Sequence, residues 1–376
     1  MRVLFVLENY LPHVGGAEIV FKNLAEGLSE KGFHIDLVTH KLKHTKKFEI
    51  VNGVHVHRVR CFDSRYLFTF FSIPLVIALA KKADIVHTTT FNGAPPAWLG
   101  ARLTGKKCIL TIHEVWINRW RQLTDHGFAS ALIHNFLEKM IYILPFDLYA
   151  CVSKNTQKDL VHLGVAPNKT AVVYNGIDYD HFDPGKYNPL EIRKRLGLGK
   201  TFVYMYYGRP GPSKGVEYLV KAVRQISRAI PQSMLLLILS KDPAYRKRYN
   251  TIRRLIKTLG VESNILLQDP VRWNELPAYI SMADCVVVPS LAEGFGFSAV
   301  ESCAMSKPLV ATHTGSLPEV VSGKYVLVKP KSAEALAKGI ITVYRGKVTQ
   351  TPLKRFDKAD NINGYLGLYN QILELP

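Results

Sequence analysis

The chain has 376 residues, 47% of them apolar and 10% aromatic, the make-up of a globular protein of about two ordinary domains rather than a disordered or fibrous one. Its five cysteines (Cys61, Cys108, Cys151, Cys285 and Cys303) are scattered and never in a CxxC spacing, which disfavours zinc and disulfide frameworks and fits a reducing, cytoplasmic compartment. A formal net charge of +19 asks for an anionic partner, whether nucleic acid, phospholipid or a phosphorylated small molecule.

The opening MRVLFVLENY has too short an apolar run for a signal peptide, and RVLFVL reads as a buried strand. PHVGG breaks it, AEIVFKNLAEGLSEKG has helical spacing closed by Gly32, and FHIDLVTH is the next strand. GVHVHRV continues the alternation. YLFTFFSIPLVIALA (residues 66–80) falls short of the roughly 18–20 apolar residues of a membrane span and contains Pro74. It is predicted as a core helix, with an interfacial helix as the alternative. ADIVHTTT, KCILTIH and FDLYACVS add strands. YNGIDYDHFDPGKYNP (residues 174–189), rich in Gly, Asp, Asn and Pro, reads as a linker. Beyond it TFVYMYYGR, SMLLLILS, NILLQ, CVVVPS, KPLVATHT and KYVLVKP restart the pattern, each leading into a helical stretch. The expectation is an α/β chain of two doubly wound, Rossmann-like domains over residues 1–175 and 201–350. A linker over 176–200 joins them, and a closing helical segment over 351–376 packs back on the first domain. Ligands of such sheets sit outside the carboxyl ends of the strands, so the cleft between the domains is the expected site.

GRPGPSKG (residues 208–215) follows a strand and opens a helix. Its small residues let backbone approach a ligand closely, and Arg209 and Lys214 add positive charge at a helix N-terminus, the makings of a phosphate site. It is neither a Walker A loop nor a GxGxxG, which disfavours an ATPase or a dehydrogenase. In PHVGGAE, Gly15 and Gly16 occupy the same junction of the first domain, either for the turn alone or to aim amides at an anion. EGFGFSAVE (residues 293–301) brackets Gly294, Phe295, Gly296 and Phe297 between two carboxylates. With a strand ending near Ser290 and a helix starting near Gly296, Glu293 falls in a loop and Glu301 a turn or more along the helix. That spacing suits hydrogen bonds from sugar hydroxyls better than a matched acid/base pair.

TIHEVW places His113 just past a strand end, where a structural and a functional histidine are both open readings. DYD (residues 178–180) lies in the linker, where turn chemistry accounts for it better than a metal does. YRKRYNTIRRLIK (residues 245–257) reads as a solvated helix face. No zinc-finger, zipper or RNP-type motif accompanies it, which disfavours nucleic acid. Residues 115–147 mix Trp116, Arg119, Trp120 and Arg121 with a long apolar helix, read either as a membrane-facing acceptor site or as an ordinary covered helix.

From GGAE through DIVH, TIH, VSK, YNGID, HFDP, GRPGPSKG, ADCVVVPSLAEGFGFSAVESCA and GSLPEVV, the chain resembles the family-4 retaining glycosyltransferases of the GT-B fold nearly end to end. The resemblance implies that Arg209 and Lys214 bind the diphosphate of a nucleotide sugar and that Glu301 takes the ribose hydroxyls. Glu293, with the backbone through Phe297, would hold the transferred sugar. Gly16, beside Gly15, would touch the donor from the first domain, and His113 would sit by the reacting carbon and the acceptor. Glu319 has a supporting place near the donor. No metal or other cofactor is expected. The chain departs from the family pattern at Ser306, at Ser316 after Gly315, and at Asp269 near the expected base pocket, so the nucleobase is not carried over.

The activity so implied is retaining transfer of a hexose from a UDP- or GDP-linked sugar to a glycan or lipid-linked acceptor, with His113, Glu293, Arg209 and Lys214 as the catalytic set. Peripheral association with the cytoplasmic face of an anionic membrane goes with the lipid-linked alternative. The rival readings are a sugar-nucleotide epimerase or phosphorylase on the same fold and a non-catalytic sugar-nucleotide-binding protein.

Overall fold

The computed structural model describes residues 1–13, 15–62 and 64–374. The first of its two units comprises Met1–Trp120, Gly127–Gly176 and Phe356–Pro376, and the second Arg121–His126 and Ile177–Arg355. The first unit begins with β1 (Arg2–Val6), α1 (Gly16–Glu30), β2 (His34–His40), β3 (Phe48–Val51) and β4 (Val54–Val59). It continues with α2 (Arg65–Phe71), α3 (Ile73–Ala80), β5 (Ile85–Thr89), α4 (Ala94–Thr104), β6 (Lys107–Ile112) and α5 (Trp120–Leu123), of which only Trp120 belongs to this unit. Then come α6 (Phe128–Ile143), β7 (Leu148–Cys151), α7 (Lys154–His162) and β8 (Thr170–Val172). The second unit runs α8 (Pro189–Arg195), β9 (Phe202–Gly208), α9 (Val216–Ala229), β10 (Ser233–Leu239), α10 (Arg246–Leu259), β11 (Ile265–Gln268) and α11 (Leu276–Met282). It ends with β12 (Cys285–Val288), α12 (Phe297–Ala304), β13 (Leu309–Thr312), α13 (Leu317–Val320), β14 (Gly323–Val328), α14 (Ala333–Tyr344) and β15 (Thr349–Thr351). The closing helix α15 (Lys358–Leu373) belongs to the first unit.

The first sheet has the order β3-β4-β2-β1-β5-β6-β7-β8 and the second β11-β10-β9-β12-β13-β14-β15. All neighbours are parallel except β3 with β4 and β14 with β15. Helices cover both faces, and that is why the central strands read as unbroken apolar runs. In β1, Leu4 and Val6 enter a cluster with Val76 of α3 and Ala97 of α4, while Val3 and Phe5 enter another with Leu24 of α1 and Tyr365 of α15. Each fully buried side chain of this kind stabilises by about 1.5–3 kcal/mol. His87 of the DIVH motif lies in this second layer, fully buried, its Nδ1 2.6 Å from Tyr369 Oη and its Nε2 2.8 Å from Thr111 Oγ1. It fastens α15 to the sheet, and burial keeps it neutral, pushing its pKa down to about 3.

Three details differ from the sequence reading. Residues 66–80 form two helices and not one core helix. The chain breaks at Ser72 because Pro74 offers no N–H to the carbonyl one turn back and its ring crowds that turn. Tyr66, Phe70 and Phe71 of α2 are exposed. Strand β3 was not foreseen. It is a short edge strand with Phe48 and Ile50 facing solvent, joined to β4 by the Asn52-Gly53 turn, where both residues take positive φ (48° and 78°). The stretch read as a linker from residue 174 is divided: the units change between Gly176 and Ile177, and Asp178 Oδ1 accepts from the backbone N–H groups of Asp180 (3.0 Å) and His181 (3.1 Å) in an Asx turn.

Candidate functional site

In the second unit the chain leaves β9 through Arg209–Gly211, makes one 3-10 turn over Pro212–Lys214, and enters α9 from Gly215. Gly215 is required twice over. Its φ is +64°, and a Cβ there would lie 2.1 Å from the carbonyl oxygen of Pro289. Strand β12 lies beside β9 in parallel register, so the loops leaving the two strands emerge at the same edge. Leu291 N–H donates to Ser213 O at 2.7 Å and ties those loops together.

That junction brings together two predicted site residues 79 positions apart. Lys214 Nζ donates to Glu293 Oε1 at 2.6 Å, and Ser290 Oγ donates to the same oxygen at 2.9 Å. The Glu293 carboxylate is nearly buried, 9% exposed, so the pair is little screened by water. Its carbonyl is held as well, by Ser316 N–H (3.1 Å) and Ser316 Oγ (3.2 Å). Gly315, at φ +54°, lets the backbone approach there, since a Cβ would lie 2.3 Å from Glu293 O. The Gly315-Ser316 departure from the family pattern thus places a hydroxyl on this loop.

Gly294, Phe295 and Gly296 are buried, and Phe295 meets Phe297 edge to face at 5.2 Å. Gly296 caps α12 at φ +90°, putting the helix start where expected. Glu301, the fifth residue of α12, accepts from Tyr207 Oη at 2.8 Å. Burial raises its pKa to about 7, against the hydrogen bond from Tyr207, which lowers it. Arg209 extends to Tyr245, Nη1 to Oη 3.1 Å, and its carbonyl accepts from Tyr206 Oη at 2.9 Å.

In the first unit Gly15 is the N-cap of α1 and Gly16 its first residue; Val14 of the same motif lies outside the described residues. His113 follows β6 and meets Phe21 of α1 edge to face at 6.0 Å. Its Nε2 is enclosed with no hydrogen-bond partner among the described residues, and burial pushes its pKa down to about 4. A neutral imidazole with an unused nitrogen is poised to meet a ligand group.

Of the predicted residues, then, Lys214 and Glu293 touch directly. Arg209 and Glu301 each contact a tyrosine that sequence reasoning did not single out. Tyr207, Ser290 and Tyr245 were missed because nothing local marks them, and Ser316 was noted only as a departure from the family pattern; the pairing of β9 with β10 and β12, and of β12 with β13, brings them here. Asp269 forms an ion pair with Lys241. Ser306 adopts φ +56°, a left-handed conformation in which the family's usual glycine is unstrained.

One group among the described residues could hold a metal: His34, Asp36 and His55, with donor atoms within 4.8 Å of one another. It lies toward the amino ends of β2 and β4, whereas Gly16 and His113 follow the carboxyl ends of β1 and β6. Asp36 also accepts from Arg2 Nε at 2.9 Å and lies 2.9 Å from His57 Nε2. Burial works to raise its pKa, but these two partners outweigh that and hold it at about 2.

Comparison with known proteins places the chain. The model of Glycosyltransferase Family 4 matches residues 14–181, and that of Glycosyl transferases group 1 matches residues 190–359. An uncharacterized glycosyltransferase of Methanocaldococcus jannaschii is 28% identical over 90% of this chain and 88% of its own length. A D-inositol 3-phosphate glycosyltransferase of Thermobifida fusca is 25% identical over 82% of this chain and 75% of its own. Among solved structures, sucrose-phosphate synthase from Thermosynechococcus elongatus is similar with a TM-score of 0.78 at 21% identity, over 99% of this chain and 96% of that one. Anabaena HepE, solved in complex with UDP, is similar with a TM-score of 0.73 at 19% identity, again over 99% and 96%. At those identities the structures speak for the fold, and the family models and sequence relatives for the activity. The chain belongs to the family-4 glycosyltransferases and is a glycosyl-transferring enzyme of the GT-B fold.

Proposed function

We propose that the enzyme transfers a hexose with retention from a UDP- or GDP-linked sugar to a hydroxyl of a glycan or lipid-linked acceptor. The observation that carries this reading is the Lys214–Glu293 contact at the start of α9, which joins the cation assigned to the diphosphate to the carboxylate assigned to the sugar. An ammonium has three N–H donors, so the bond to Glu293 leaves others for diphosphate oxygens. Glu293 likewise keeps acceptor capacity for sugar hydroxyls, and Glu301, with one side-chain donor in Tyr207, keeps capacity for the ribose.

In this mechanism the acceptor oxygen bonds to the anomeric carbon as the bond from that carbon to the phosphate oxygen breaks. The acceptor proton passes to the leaving diphosphate. Arg209, Lys214 and the amides at the start of α9 stabilise the charge that develops there, and this reading calls on no metal or other cofactor. In the first unit the candidate residues are Gly16 and His113, the latter a neutral imidazole whose Nε2 is open to a ligand group.

The test is nucleoside diphosphate release from a panel of UDP-, GDP- and ADP-sugars with EDTA present. One donor is expected to be turned over. Lys214→Ala is expected to lower turnover by about 10²–10³-fold, as when an oxyanion donor is lost. Full turnover by Lys214→Ala at saturating donor would overturn the phosphate assignment.

A further inference from the structure

Helix α6 of the first unit turns most of its large apolar side chains outward, although Ala131 and Ile141 are buried. Phe128, Leu132, Ile133, Phe136, Met140 and Ile143 are 43–70% exposed and share one broad face. The opposite face carries His134, Asn135 and the fully buried Glu138. These polar groups anchor the helix in that orientation. Glu138 accepts from Trp116 N–H (2.9 Å), Trp120 Nε1 (2.7 Å) and Tyr142 Oη (3.2 Å), and Asn135 Oδ1 accepts from Asn118 N–H (2.7 Å). Rotating α6 to hide its apolar side would break all of them except the Tyr142 bond, which lies within the helix.

The exposed surface continues onto α2. Tyr66 Oη lies 3.2 Å from His134 Nε2, and Tyr66, Phe70 and Phe71 are themselves exposed. Phe62 meets Phe71 edge to face at 6.2 Å, with the Arg60 guanidinium 5.5 Å from its ring centre. A contiguous apolar surface of this kind marks an interaction site.

Charge decides what binds there. Residues 60–82 contain Arg60, Arg65, Lys81 and Lys82 against one acid, Asp63, and Arg65 is paired with Glu8 at 2.8 Å. Residues 127–146 contain exposed Lys139 and a single acid, Glu138, which is turned inward. The surface is therefore apolar and the segments that form it carry a net positive charge, which is the complement of an anionic bilayer. Among the described residues no helix is long and apolar enough to cross a membrane, so the contact proposed is one of lying in the interface.

We propose that the outer faces of α2 and α6 form an interfacial docking surface for an anionic phospholipid bilayer. The inference stands on this surface alone and does not depend on the donor assignment, although docking there would favour the lipid-linked alternative for the acceptor.

The experiment is flotation of the whole chain with vesicles of phosphatidylcholine alone or mixed with phosphatidylglycerol. Binding to the mixed vesicles is expected, weakened by salt and by Lys139→Gln by about five-fold, the effect of one basic residue at such a surface. The Leu132→Asp, Phe136→Asp, Ile143→Asp triple variant is expected to lose vesicle binding more than ten-fold while keeping its melting temperature and its diphosphate release. A milder probe, Phe136→Trp, is expected to gain indole emission that shifts to the blue and is quenched by brominated lipid in the mixed vesicles. Absence of binding by the parent chain, unaltered binding by a folded triple variant, or a Phe136→Trp indole that brominated lipid leaves unquenched would each overturn the proposal. So would a dimer, seen by light scattering without vesicle binding and abolished by the triple variant, since a second copy would then own the face. A parent chain that releases diphosphate but does not float would count against the docking surface alone, and one that floats but releases none against the donor reading alone.

Discussion

Helices α9 and α6 are both amphipathic, and they turn opposite faces to the protein. In α9, Leu219, Val220, Val223 and Ile226 are buried against the second sheet, while Lys221, Arg224 and Arg228 face water. In α6 most of the large apolar side chains face out, and Glu138 turns in beside the buried Ile141. A hydrophobic period identifies a helix and the existence of two faces; which face turns inward depends on what the interior offers it. For α9 that is an apolar sheet. For α6 it is a cluster of backbone and indole N–H groups that need an acceptor.

Parallel substitutions can break this comparison. The largest effect is expected from Leu219→Asp, which places a charge in the core and forfeits a buried leucine. A loss of more than about 4 kcal/mol should unfold the second unit in denaturant melts. Glu138→Ala comes next. It strands the Trp116 and Trp120 donors and should destabilise the first unit by about 2–4 kcal/mol, with partial recovery in Glu138→Gln. An unchanged midpoint would mean that the polar face does not anchor the helix.

The two buried carboxylates sharpen the contrast. Glu138 is saturated by three protein donors, which fits a structural role, whereas Glu301 has Tyr207 and room for more. Burial raises the Glu301 pKa from 4.5 to about 7, so the native state holds this proton where the unfolded chain has released it. Its contribution to stability therefore falls as pH rises from about 4.5 to about 7. If Glu301 receives ribose hydroxyls, donor binding should do the opposite, tightening as pH rises through about 7 and the carboxylate forms. Titrations of donor affinity should show that rise in the parent chain and a flat profile in Glu301→Gln. The smallest effect is expected from Leu132→Asp, the counterpart of the Leu219 change on the exposed side of α6. It should move the melting midpoint by no more than about 0.5 kcal/mol.

Most strands could be read from the chain because a parallel strand covered on both faces must be apolar throughout, as in CVVVPS and SMLLLILS. Strand β3 escaped because an edge strand with half its side chains in water carries no such run, although Asn52-Gly53 was there as a hairpin signal. The break within residues 66–80 was present as Pro74 but outweighed by the apolar stretch around it. The site was legible as parts. GRPGPSKG and EGFGFSAVE each announce a loop and a helix start, and their charged residues can be named. Their contact cannot, nor can the hydroxyls of Ser290 and Tyr207 that complete it.

The order of side chains along the backbone therefore settled the local properties: strand or helix, loop or cap, and which residues have chemistry to offer. Those follow from period, turn residues and charge within a few positions. The tertiary structure decided what meets what. Lys214 reaches Glu293 because β12 pairs with β9 and brings their loops to one edge, and α6 shows its apolar side to solvent because Glu138 finds its donors within. Such pairings depend on sheet order and on distant partners, and no short stretch of sequence contains them.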